Sequence, residues 1–104
     1  MENQTKNLII EQTKNGDTLT CKLSGWLDPN TSPDLITQID VKDIKLLIFD
    51  LAQVEYVFSS GLRSFLILQK MLEPNGGKIK LINVADNIRN IFEYTGFENM
   101  LEPK

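Results

Sequence analysis

The strongest constraint on the fold is an apolar run of eight residues near the middle of the chain. Ile44–Leu51 reads Ile-Lys-Leu-Leu-Ile-Phe-Asp-Leu, with only two charged side chains. Strands covered on both faces have nearly continuous apolar sequences, whereas half-buried strands alternate apolar and polar residues. The run therefore predicts a central strand covered on both faces, with other elements packed on the sheet.

The segments around this run predict alternating strands and helices. Leu8–Gln12 and Asp17–Ser24 form a predicted hairpin, joined by the turn signal Asn15-Gly16. The remaining predicted elements are a short helix beginning at Ser32-Pro33-Asp34, a helix over Ser59–Leu72, a strand over Lys78–Asn83 and a helix over Asp86–Thr95 ending at Gly96. No repeat or linker separates them, so we expect one α/β domain over residues 1–104.

The single cysteine lies in the second predicted strand. Leu19, Cys21 and Leu23 alternate there with polar residues, which predicts that Cys21 faces the core. No basic neighbour lowers its pKa, so we interpret it as core packing and not as a reactive thiol. One cysteine cannot form an internal disulfide, which favours a reducing cytoplasm.

Composition excludes several classes of function. The chain has 104 residues, 41% hydrophobic and 24% charged, which is typical of one soluble globular domain. A formal net charge of −3 lacks the basic footprint of a nucleic-acid binder and gives no attraction to anionic membranes. The polar start Met1–Asn7 has no signal-peptide core, and no run reaches the roughly 18 apolar residues of a membrane span.

Catalysis and metal binding find little support in the sequence. Histidine is absent, which removes the commonest general base and metal ligand. The Gly76-Gly77 pair precedes a strand and lacks a following Lys-Ser or Lys-Thr, so it is interpreted as a turn and not as a phosphate loop. We expect no enzymatic activity, no cofactor and no metal.

The most informative segment is the serine pair that opens the second long helix. Ser59-Ser60-Gly61 follows a predicted buried strand, where free backbone N–H groups and the positive helix end can hold negative charge. For Ser59 alone, the simpler interpretation is an N-cap. No Glu or Gln three residues later completes a capping box.

The same helix has two faces at 100° per residue. One face is predicted to pack on the sheet: Leu62, Phe65, Leu66, Leu68 and Leu72. The opposite face is predicted to carry Ser60, Arg63, Ser64, Ile67, Lys70 and Met71. Isolated exposed hydrophobes are common, but Ile67 and Met71 lie one turn apart on the face of Ser60, which favours a surface that docks a protein partner.

Four ordered motifs carry a resemblance to a known family. They are Gly25-Trp26-Leu27-Asp28, Leu47-Ile48-Phe49-Asp50-Leu51, Ser59-Ser60-Gly61-Leu62 and Thr95-Gly96-Phe97. In order and spacing the chain resembles STAS domains, and specifically the bacterial anti-sigma-factor antagonists. The resemblance implies a mixed central sheet with helices packed on it. It also implies partner switching, in which the antagonist binds an anti-sigma factor that is a serine kinase and is released when the serine before the glycine, here Ser60, is phosphorylated.

One position departs from the family pattern. The residue before the serine pair is usually acidic in the family, whereas here it is Phe58. Phe58 either lies under the loop or contacts a partner. Asp28 and Asp50 are the nearby candidates for acidic roles, although Asp50 could instead simply close its strand.

The resemblance leaves two functions open. In the first, Ser60 is the phosphorylation site and the partner-binding residues are Asp28, Phe58, Ser59, Arg63, Ser64, Ile67 and Met71. In the second, the chain is a non-phosphorylated STAS accessory subunit of a lipid-transport ABC system, which uses the same helix as a constitutive contact.

Overall fold

The structure is a computed structural model that describes residues 8–96 and 98–101. Its main elements are β1 (Leu8–Asn15), β2 (Thr18–Leu27), α1 (Pro33–Gln38), β3 (Leu46–Val57), α2 (Ser59–Leu72), β4 (Lys78–Ile82) and α3 (Asp86–Tyr94). Short 3₁₀ turns follow α2 at Glu73–Asn75 and α3 at Glu98–Met100. The Met1–Asn7 segment and Phe97, part of the last family motif, lie outside the described residues.

The sheet is mixed, and its strand order follows the chain. β1 and β2 are antiparallel, whereas β2–β3 and β3–β4 are parallel, in the order β1-β2-β3-β4. Parallel neighbours need a crossover connection, and α1 and α2 supply the two crossovers here. The expected α/β class, with a leading hairpin and helices packed on a mixed sheet, is confirmed.

The helices lie on one face of the sheet. Phe65 of α2 packs edge-on against Phe49 of β3 at a ring-centroid distance of 4.9 Å. The ring centroids of Phe92 in α3 and Phe65 in α2 lie 5.8 Å apart, so α2 and α3 lie on the same face of the sheet. The crossover from β2 to β3 and the crossover from β3 to β4 step across the sheet in the same direction. Because such crossovers are right-handed, α1 and α2 lie on the same face.

The prediction that β3 is covered on both faces is wrong. Leu47, Phe49 and Leu51 are fully buried towards the helices, whereas the alternate residues are half-buried: Leu46, Ile48 and Asp50. On that second face the register partners of Ile48 among the described residues are Thr20 on β2 and Lys80 on β4. Adjacent strands shield Ile48 from the side, which helps to accommodate a nearly continuous apolar sequence.

The two central strands are longer than predicted. β2 continues to Leu27 and β3 to Val57, and both end residues are buried. Register shifts occur between Lys22 and Ser24 and between Gly25 and Trp26, where Gly25 has φ 110°. Such irregularities break the two-residue alternation that marks a strand in a sequence, so the extension could not be read from the pattern.

The predictions for Cys21 and Gly96 are confirmed. Cys21 is completely buried, and this burial raises the pKa of its thiol to about 12. Gly96 follows α3 with φ 86°, and its N–H donates to the Glu93 carbonyl at 3.3 Å. That left-handed conformation ends a helix at little cost only when the residue is glycine.

Gly61 allows the first turn of α2 to lie directly against the ends of β2 and β3. A Cβ at this position would lie 2.9 Å from the Leu27 Cβ and 3.0 Å from the Val57 Cγ1. Neither atom belongs to the far end of a flexible side chain, so an added methyl group could be accommodated only by moving the helix.

We expect Gly61→Ala to lower the free energy of unfolding by about 1–2 kcal/mol, because overpacking exceeds the gain in helix propensity of about 1 kcal/mol. Chemical denaturation measures the change. Lys70→Ala, on the exposed side of α2, is the control and should stay within about 0.5 kcal/mol of wild type. A Gly61→Ala variant as stable as wild type would contradict the close approach.

Candidate partner-docking site

The candidate site forms where the parallel strands β2 and β3 end side by side. The Phe58 N–H donates to the Leu27 carbonyl at 2.8 Å, which ties the entry of α2 to the end of β2. The loop from Asp28 to Ser32 leaves the same edge and leads into α1. Loops at the carboxyl ends of parallel strands commonly carry function, and here they place Asp28, Ser32 and Ser60 in one region.

Three serines connect α1 with the first turn of α2. The Oγ atoms of Ser32 and Ser60 lie 3.3 Å apart, within hydrogen-bond distance. The Ser64 hydroxyl donates to the Ser32 carbonyl at 3.1 Å and to the Ser60 carbonyl at 3.2 Å. Ser32 is buried and Ser60 half-buried, so the Ser60 hydroxyl lies at the boundary between this cluster and solvent.

The prediction for the start of α2 needs correction. The N-cap of α2 is Phe58, which cannot cap through its side chain, so Ser59 is the first helical residue and its interpretation as an N-cap is wrong. Ser59 is exposed. At α1, Ser32 does occupy the N-cap position, but its side chain makes no capping bond and instead meets Ser60.

The prediction that Ser64 lies on the exposed side of α2 is also wrong. Its exposed fraction is 6%, because α1 packs along that flank of α2. A helical-wheel argument that considers only the sheet misses this second contact. Ser64 therefore supports the site from below: it lines the space between α1 and α2 but exposes little surface to a partner.

The two aspartates have local structural roles. Oδ1 of Asp28 accepts from the backbone N–H groups of Asn30 and Thr31 at 2.8 and 3.0 Å. Oδ1 of Asp50 accepts from the Ala52 N–H at 3.0 Å and from the Asn83 side-chain amide at 3.1 Å. Asp50 does not end its strand, since β3 continues to Val57. The Asp28 carboxylate thus holds the loop at the edge where the site lies, whereas Asp50 links the middle of β3 to Asn83, which follows β4.

Phe58 belongs to an exposed aromatic patch, which we define as Trp26, Tyr56 and Phe58. The Phe58 ring lies 4.8 Å from Tyr56 and 6.3 Å from Trp26, between centroids. All three residues are partly exposed, at 39%, 41% and 39% for Trp26, Tyr56 and Phe58. Of the two alternatives for Phe58, burial under the loop is excluded, and the ring is open to a partner.

Sequence reasoning did not assign Trp26 or Tyr56 to the candidate site. The two residues are register partners on the parallel strands β2 and β3, in the extensions that follow the register shifts. The apolar and aromatic residues of the segment from Gln53 to Val57 were the available signal for a strand there.

An apolar groove runs between α1 and α2 beside Ser60. It has a volume of about 440 Å³, and its lining includes Pro33, Ile36, Ser60, Arg63 and Ile67. Ile67 is 40% exposed at this groove, and Met71, one turn further along α2, is 42% exposed. The hydroxyl of Ser60 is thus a polar group set beside an otherwise largely apolar surface.

Arg63 dominates the charge at the start of α2. It is exposed and lines both the groove with Ser60 and a second cleft with Ser59 and Leu66. Leu66, predicted to pack on the sheet, is half-buried in that cleft. The only charged residues in α2 are Arg63 and Lys70, so this helix is cationic in a chain of net charge −3.

Comparison with known proteins identifies the family. The model of the family described as STAS domain matches residues 9–104. The chain belongs to the STAS domain family. A relative from Staphylococcus aureus named anti-sigma-B factor antagonist is 31% identical over 98 residues, which is 91% of each chain.

Solved structures share the fold of this STAS domain. The unphosphorylated anti-sigma factor antagonist SpoIIAA superposes with a TM-score of 0.82 at 19% identity, over 90% of this chain and 86% of that one. The phosphorylated Bacillus cell fate determinant SpoIIAA gives 0.67 at 20% identity, over 90% and 89%. At sequence identities of 19% and 20%, these superpositions show a shared fold and nothing further.

The described residues of this STAS domain include neither a membrane-spanning helix nor a cluster of metal ligands. None of its helices there is long and apolar enough to cross a bilayer. Within residues 8–96 and 98–101, no three Cys, Asp or Glu side chains lie close enough together to hold a metal ion.

We expect Ser64→Ala to lower the free energy of unfolding by about 0.5–1 kcal/mol, because a buried hydroxyl loses its bonds to two carbonyls while alanine favours the helix. Thermal or urea denaturation measures this. Ser59→Ala, in the same helix but exposed, is the matched control and should cause no loss. Equal stability of both variants would argue against the serine cluster as a link between α1 and α2.

Proposed function

We propose that this STAS domain is a cytoplasmic anti-sigma-factor antagonist that works by partner switching, with Ser60 as its regulatory phosphorylation site. The observation that best supports this proposal is the position of Ser60, which lies at the side of an apolar groove where Ile67 is also exposed. A partner docked in this groove lies against the Ser60 hydroxyl, so a modification of this hydroxyl changes the surface that the partner meets.

The docking surface comprises the groove, the outer side of α2 and the aromatic patch. Its proposed contact residues are Phe58, Ser59, Arg63, Ile67 and Met71, all exposed in the structure. Large apolar and aromatic side chains next to an arginine are the residue types that dominate binding energy at protein interfaces. Asp28 contributes indirectly, because its carboxylate shapes the loop that enters α1.

Phosphorylation would reverse the binding preference of this surface. A seryl phosphate carries about −1.5 to −2 charges at pH 7. Beside Ile36 and Ile67 it would have to be desolvated by any partner that fills the groove, which is costly for a charged group. The unphosphorylated domain therefore binds the partner and the phosphorylated domain releases it.

The relatives support this function. The matching Staphylococcus aureus protein is named an anti-sigma-B factor antagonist. Among the structures with the same fold, SpoIIAA is described in both unphosphorylated and phosphorylated forms. The partner proposed for this chain is accordingly an anti-sigma factor that acts as a serine kinase.

The docking surface is tested by Ile67→Ala combined with Met71→Ala. We expect the affinity for the cognate anti-sigma kinase to fall about 10–100-fold, because two partly exposed apolar anchors are lost, while the fold stays intact. Isothermal titration calorimetry measures the affinity. Tyr94→Ala, which removes a 94% exposed aromatic residue of α3, is the control and should bind like wild type.

The modification site is tested by incubation with the kinase and ATP, followed by intact-mass measurement. The wild-type chain and Ser59→Ala should each gain one phosphate, and Ser60→Ala should gain none. If Ser60→Ala is still phosphorylated and Ser59→Ala is not, the exposed serine is the substrate and the assignment to Ser60 is wrong.

A further inference from the structure

We propose that Arg63 is the intramolecular receptor of the Ser60 phosphate: its guanidinium binds the phosphoryl oxygens and is thereby withdrawn from the docking surface. This inference rests on the proposed modification of Ser60. It assigns Arg63 a second state, in addition to its place among the partner contacts.

Helix geometry brings the two residues together. Ser60 and Arg63 are three positions apart in α2, and residues at this spacing are neighbours on a helix surface. Long helical side chains lean towards the N-terminus, so a residue covers the turn that precedes it. Arg63 lines the groove together with Ser60 and the adjacent cleft together with Ser59, so it borders the first turn on both sides.

The Arg63 guanidinium forms no ion pair within residues 8–96 and 98–101, and α2 contains no acidic residue. Lys70, the other cation of α2, lies ten residues from Ser60, which is about 15 Å along the helix axis. Arg63 is thus the cation of α2 within reach of a group on Ser60.

The chemical step creates a ligand suited to this cation. The Ser60 Oγ attacks the γ-phosphorus of ATP, the bond from phosphorus to the ADP oxygen breaks, and the hydroxyl proton passes to a base of the kinase. Oγ then can no longer donate to Ser32, its neighbour at 3.3 Å. The phosphate instead presents three acceptor oxygens, which the planar guanidinium can bind in a bidentate arrangement.

The consequence for the docking surface is a loss of its main positive charge at the groove. Unphosphorylated, Arg63 is available to an acidic group of a partner. Phosphorylated, it is occupied internally, so the same partner loses an attraction and also meets a net negative charge.

The experiment uses the full chain with phosphoserine introduced at position 60 during translation, and ³¹P NMR measures the second pKa of the phosphate. Arg63 stabilises the dianion, so this pKa is lower with Arg63 present. We expect Arg63→Gln to raise it by about 0.3 unit or more, the value of an exposed helical ion pair. Arg63→Lys should retain at least half of the effect, since the charge is kept.

Lys70→Gln is the matched control, because it removes the other α2 cation without touching the first turn, and it should leave the phosphate pKa unchanged. Equal pKa values for Arg63→Gln and wild type would overturn the proposal, as would an equal shift for Lys70→Gln. Neither kinase nor partner is present in this measurement. Its failure is therefore distinct from failure of the proposed function, which the calorimetry and mass measurements test.

Discussion

The candidate site depends on one close contact, the first turn of α2 against the ends of β2 and β3. Gly61 permits it, because any Cβ there would meet Leu27 and Val57 at 3.0 Å or less. With the backbone this close, Ser59 and Ser60 enter the helix immediately at the sheet edge, beside the loop that starts α1. A helix lifted away by even a methyl group would separate Ser60 from Ser32 and widen the groove.

The serine cluster explains why a small polar group can matter on a mostly apolar surface. Ser64 holds the Ser32 and Ser60 carbonyls from below, and Ser32 meets the Ser60 hydroxyl from the side. Ser60 is therefore positioned by bonds to α1 as well as by its own helix. A change at the Ser60 hydroxyl affects both the wall of the groove and Arg63, the cation at its rim. The core beneath need not move.

Sequence patterns predicted the type and order of the four strands and three α-helices in the described residues, because hydrophobic periodicity and turn residues are local signals. Non-local packing produced the errors. The extension of β3 to Val57 follows irregular register with β2, and Ser64 is buried because α1 covers a flank of α2 that the sheet does not reach. Trp26 and Tyr56 lie far apart in the sequence and form a patch only because β2 pairs with β3. Neither residue alone therefore indicated an aromatic patch.

The arrangement of the sheet edges has a consequence for how this domain can meet other chains. The outer strands are β1 and β4, and β4 is short, carries Lys78 and Lys80, and has Leu101 bridged to Leu81 beyond it. β1 carries the exposed charges Glu11 and Lys14. Charged side chains on edge strands resist the addition of a foreign strand, which would have to desolvate those charges. The fold thus discourages uncontrolled sheet growth and leaves recognition to side chains.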